Sequence, residues 1–152
     1  MAGMRSTRAL KTLYKYTCTV QVATLRTDAD PYHPGSSNLT VDWSTIAASH
    51  TGIPCSWQRL DTRERATMGE VTGTGKAGTL IATDYLWIVA EDAPATLLDR
   101  DSIPAPELYH RITNIALRSD ETLIDAGPFD IQRIVPEGSA GVTVKSELKR
   151  VQ

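Results

Sequence analysis

Residues 14 to 22 read Tyr14-Lys15-Tyr16-Thr17-Cys18-Thr19-Val20-Gln21-Val22, five apolar positions alternating with four polar ones without a break. Successive side chains of an extended chain point to opposite faces, so a strict two-residue period marks a strand with one side buried and one side wet. A helical stripe, with its 3.6-residue repeat, does not give this pattern. The stretch is a half-buried β-strand.

Downstream, residues 25 to 51 gather Asp28, Asp30, Pro31, Pro34, Gly35, Ser36, Ser37 and Asn38, turn formers whose concentration predicts a long loop. Val41 to Ser49 inside it is compatible with a short helical turn or a strand. Ile53, Cys55 and Trp57 alternate with Pro54, Ser56 and Gln58 as a second strand, with Pro54 suited to an edge or a strand start. Leu60 to Met68 is charged and rich in helix formers, with Asp61 or Thr62 as a cap, and a glycine-rich stretch from Gly69 to Gly78 follows. Thr79 to Val89 predicts a strand pair turning at Asp84. The stretch from Asp92 to Pro106, with Pro94, Pro104 and Pro106, breaks the pattern.

Leu108 to Leu117, Leu123-Ile124, Phe129 to Val135 and the region of Val142 and Val144 predict further strands, separated by Ser119-Asp120, Gly127-Pro128 and Pro136-Glu137-Gly138. Short strands with frequent turns point to a mainly β fold, a small β-barrel or sandwich with one short helix and long loops. The expected organisation is a basic N-terminal arm over residues 1–12 and a barrel-like domain over 13–137 containing a flexible loop at 61–78. A basic C-terminal extension over 138–152 completes it.

Composition agrees with one compact domain: in 152 residues, 41% hydrophobic and 22% charged, the chain is neither a disordered nor a collagen-like sequence. Its longest central apolar run, Leu86-Trp87-Ile88-Val89-Ala90, falls far short of the roughly 20 residues of a membrane helix. No apolar h-region follows the basic start, so a cytoplasmic origin and no membrane partner are expected. The two cysteines, Cys18 and Cys55, lack metal-site spacing and are expected as buried free thiols. Net charge is −2, yet residues 1–26 hold five bases and no acid, while 145–152 hold three bases against Glu147. The acids therefore concentrate in the middle. An acidic body argues against sequence-specific nucleic-acid binding, and Arg5, Arg8 and Lys11 are candidates for docking an acidic protein partner.

Motifs with chemistry fail on context. Gly73-Thr74-Gly75-Lys76-Ala77-Gly78 matches GxGxxG, but a dinucleotide cradle needs its glycines to lead from a strand into a helix, and here they lead into a strand. A P-loop would require glycine where Glu70 stands and Ser or Thr where Ala77 stands. His33, His50 and His110 lie in separate segments without metal-ligand spacing, and the pairs Asp28/Asp30 and Asp99/Asp101 read as solvated turns. No GxSxG elbow is present. Asn38-Leu39-Thr40 is a glycosylation sequon without a secretion signal. Trp43, Trp57 and Trp87 are expected to supply core volume, since the chain has one phenylalanine. The expectation is a protein that is not an enzyme, with no cofactor and no metal.

The order of segments from Ile53 to Glu137 resembles the head-closure, or stopper, proteins that join head to tail in long-tailed bacteriophages. The matching pieces are Ile53-Pro54-Cys55-Ser56-Trp57-Gln58, the charged stretch Asp61 to Thr67, the flexible loop and Thr79 to Val89. An acidic turn-rich stretch, Tyr109-His110-Arg111-Ile112-Thr113-Asn114-Ile115 and Asp130-Ile131-Gln132-Arg133-Ile134-Val135 follow. The match covers a little over half of the chain and lies in the order of elements. The N-terminal strand, the stretch through Ser49, the 92–106 segment and residues 138–152 depart from it. The resemblance implies a virion protein of the neck, made in the host cytoplasm. It would form a homo-oligomeric ring between portal or adaptor and tail, with packaged DNA passing through the channel. It further implies that the loop bearing Asp61, Arg63, Arg65, Met68, Gly69, Glu70, Gly73, Gly75, Lys76 and Gly78 faces that channel as a gate. A tail terminator, another neck or tail subunit, and a non-viral small β binding domain are the alternatives.

Overall fold

The computed structural model describes residues 12–29, 31–33, 35, 37–60, 82–137 and 142–151. The first strand, β1, spans Tyr16–Ala29, and β2 spans Ser37–Arg59. They are followed by β3 (Asp84–Val89), two four-residue helices α1 (Ala95–Leu98) and α2 (Pro106–Tyr109), and β4 (His110–Leu117). The strands β5 (Leu123–Asp125), β6 (Phe129–Glu137) and β7 (Thr143–Arg150) complete the described chain. The fold is mainly β, a single antiparallel sheet of seven strands. Among the described residues no helix is long and apolar enough to cross a membrane.

Hydrogen bonding runs β1-β2-β3-β7-β6-β4, and β4 pairs again with β1, so six strands make a closed circuit with β5 attached to β4. The alternation read in residues 14–22 explains what the circuit encloses. Cys18 and Val20 face inward with Ile53 and Cys55 of β2, Leu86 and Ile88 of β3, Ile112 and Ile115 of β4, Phe129 and Ile131 of β6, and Leu148 of β7. Leu97 of α1 joins them and is almost fully buried. Each such side chain contributes on the order of 1.5–3 kcal/mol through burial. Cys18 and Cys55 are free and buried, as expected.

Several expectations are corrected. Residues 25 to 51 are not a long loop: among the described residues 25–29 and 37–51 are strand, and Val41 to Ser49 lies within β2. Polar residues are tolerated there because a two-stranded ribbon in water need not bury both faces. Asp84 does not turn the chain but begins β3 as a buried residue. Pro54 is interior to β2, opposite Thr17; the ladder to β3 starts one residue later, at Cys55, so the missing N–H interrupts no bond on that side. The strand expected around Val142 and Val144 is β7; it runs on through Lys145, Lys149 and Arg150, which the sequence assigned to a basic extension, and lies between β3 and β6. The tryptophans do not fill the centre. Trp57 and Trp43 pack at the margins of two clusters, and Trp87 faces outward, its indole N–H donating to Glu137 Oε2 at 3.0 Å. The short helix expected at Leu60–Met68 lies outside the described residues from Asp61 onward.

Candidate functional site

The loop residues Asp61, Arg63, Arg65, Met68, Gly69, Glu70, Gly73, Gly75, Lys76 and Gly78, and the arm residues Arg5, Arg8 and Lys11, all lie outside the described residues. The places where the chain departs and returns are well defined. Leu60 N–H donates to the Thr83 carbonyl at 2.9 Å, and Thr83 N–H donates to the Leu148 carbonyl at 2.7 Å. Departure and return are thus adjacent, and the return is tied to β7.

Beside them sits a cluster of charge. Arg59 Nη2 lies 2.8 Å from Asp125 Oδ2, Arg150 donates to the same carboxylate, and Arg59 Nε is 4.0 Å from Asp84 Oδ1. Burial pushes the Asp84 carboxyl up from its ordinary range. Burial acts in the same direction on Asp125, but the Gly127 N–H and the two arginines outweigh it and hold that carboxyl below the usual range. The cluster is consistent with a clasp at the root of the segment that follows Leu60.

A second feature was missed in the sequence. Pairing of β1 with β4 ends at Val22, and pairing of β2 with β3 begins only at Cys55. Beyond those points β1 and β2 pair only with each other among the described residues, as a ribbon in which Thr24–Ala29 face Ser37–Asp42. Its two faces differ. On one, Arg26 Nη1 donates to Asp42 Oδ2 at 3.4 Å, and the Thr40 hydroxyl donates to Asp28 Oδ2 at 3.1 Å. On the other, register places Leu25 opposite Val41 and Thr27 opposite Leu39. Leu25 and Leu39 remain 38% and 42% exposed, high values for leucine. At the root, Val41 and Trp43 pack on Val22, Ala23 and Tyr109. The Arg111 guanidinium stacks 4.1 Å from the Trp43 ring centre, and Arg111 Nε is held by Asp130 at 2.8 Å.

The four-residue helix α2 gives Tyr109 to this root and Pro106 and Glu107 to a cleft of about 410 Å³, whose apolar walls include Leu97, Leu98, Ile134, Pro136 and Val144, with Arg100 and Glu107 as its charged residues. His110, fully buried, ties the two helices that form one side. Its Nδ1–H donates to the Pro106 carbonyl at 2.7 Å, which leaves Nε2 to accept from the Thr96 hydroxyl at 2.9 Å. Burial holds the imidazole below its ordinary pKa and so favours the neutral form, in which Nε2 accepts. His33 and His50 are exposed elsewhere, and no group of three or more metal-ligating side chains occurs among the described residues.

No protein-family model, curated protein or solved structure matches the chain.

Proposed function

We propose that the protein is a structural connector of a tailed-phage particle, a neck subunit that assembles as a ring between portal or adaptor and tail. The observation that carries this reading is the amphipathic, open-edged ribbon held out from a closed circuit of strands. A rigid body with a projecting arm is built to engage other polypeptides, because unpaired strand edges and an exposed apolar face are both costs to an isolated monomer. The segment order from Ile53 to Glu137 supports the same reading. An acidic body repels DNA that passes close to it. The hydrogen bond from Leu60 to Thr83 suits a gate loop that must leave and rejoin the subunit at one place.

The test is co-assembly. Purified chain mixed with the portal-adaptor and tail proteins encoded beside it should form rings visible by electron microscopy and measurable by native mass. A chain that stays monomeric with both neighbours present overturns the reading. The cleft favours a second one, a small-ligand-binding β domain, since its volume falls in the usual range for such sites. A small molecule that saturates the cleft of a persistently monomeric chain would select that reading instead.

A further inference from the structure

We propose that Cys18 and Cys55 are a latent staple, a pair that closes into a disulfide across β1 and β2 inside the core when the chain meets a small-molecule disulfide oxidant such as oxidised glutathione. The bond would form in a lone subunit and in a ring alike.

These are the only cysteines of the chain, and they lie far apart in sequence. Folding brings them together. Both point into the same core cluster, 1% and 0% exposed, and both are free thiols. β1 and β2 are adjacent and antiparallel, with Cys18 opposite Ile53 and Tyr16 opposite Cys55, so the two thiols stand two positions apart along one face of one ladder. They also touch: the Cys55 thiol hydrogen-bonds to Cys18, and this contact together with burial pushes it up from its ordinary pKa. A disulfide requires the sulfurs to close to about 2.05 Å. The backbone has slack for that movement just beyond Cys18, where the ladder passes to Val20 on β1 but skips on to His50 on β2. Gly52, at a φ of +67°, lies within this irregularity.

A buried, protonated thiol is a poor nucleophile, so the folded chain keeps the pair reduced and slow to react. Opening of β1 from β2 exposes it. The thiolate of one cysteine then attacks oxidised glutathione, forming a mixed disulfide and releasing one glutathione; the other cysteine attacks the protein sulfur of that mixed disulfide and releases a second. Two protons and two electrons leave the protein, and the glutathione disulfide takes them up as two thiols. The new bond encloses the whole ribbon in one covalent loop. It pins the ribbon's base at Cys55, the residue where β2 begins its pairing with β3.

The full chain, incubated with oxidised glutathione in urea near its unfolding midpoint and then returned to buffer, tests this. Both thiols should disappear from an alkylation assay, the mass should fall by two hydrogens, and the chain should run as a monomer on a non-reducing denaturing gel. Trypsin should release residues 16–26 and 27–59 as one linked peptide that reduction separates. The oxidised chain should keep its dispersed amide spectrum and melt roughly 5–15 °C above the reduced one. Cys55→Ala, treated identically, should take up a single glutathione and show no such rise.

Thiols that persist, glutathione held on both cysteines, disulfide-linked dimers, or an oxidised chain without its native spectrum would each overturn the staple. An equal rise in Tm for Cys55→Ala would do so too, because one cysteine cannot make the bond.

Discussion

Gly127 shows how much a single position can depend on its surroundings. Its φ of +71° lies in the left-handed region, and its N–H donates to Asp125 Oδ1 at 3.0 Å. A Cβ there would lie 3.1 Å from the Ile112 carbonyl oxygen and 3.1 Å from Phe129 Cδ2. Gly127→Ala should cost about 2 kcal/mol, combining backbone strain with crowding, and lower the Tm by roughly 5–10 °C. Gly52 has a similar φ of +67° with nothing near its missing Cβ, so Gly52→Ala should cost about half as much. Equal losses in paired thermal melts would show that crowding contributes nothing. The sequence identified Gly127-Pro128 as a turn, because turn chemistry is local. It held no sign of the crowding, since Ile112 reaches the site only through the pairing of β4 with β6.

At the scale of elements, the ribbon was the principal misreading. Leu25-Arg26-Thr27-Asp28-Ala29 keeps a two-residue period, but the prolines and glycine of the adjacent tip drew the whole stretch into a loop. The polar face contributed to this: Arg26, Asp28 and Asp42 look like loop residues until register pairs them across two strands. Leu86 and Ile88 of β3 and Phe129 and Ile131 of β6 were legible because these inward positions had to be apolar. The ribbon's separation from the core gives a direct prediction. Replacing residues 25–41 with Asn-Gly would close Thr24 and Asp42, which already pair, through a two-residue hairpin turn. Among the described residues, none of the main core lies in the excised segment, and of the smaller cluster only Val41 is lost. The shortened chain should melt within a few degrees of the native one. A collapse of the Tm would show that the ribbon supports the body rather than extending from it.

For the molecule as a whole, strand existence could be read locally, whereas the order of pairing could not. Residues 145–152 look like a basic tail because Lys145, Lys149 and Arg150 dominate their composition, yet β7 is the strand that joins β3 to β6. Its cations have structural positions: Lys145 Nζ lies 4.0 Å from the Tyr85 ring centre, and Arg150 reaches both Asp125 and the Phe129 ring. Its alternate residues Val144, Ser146 and Leu148 are buried. Removing residues 142–152 would therefore open the circuit, expose the facing edges of β3 and β6, and take away the carbonyl and the amide that hold Thr83. Loss of Val144 and Leu148 alone removes about 3–6 kcal/mol of burial, comparable to the net stability of a domain this size. The truncated chain should be insoluble, or soluble without dispersed amide resonances in a proton–nitrogen correlation spectrum. A well-dispersed spectrum would mean that these residues are dispensable, and with them the closed circuit from which the ribbon projects.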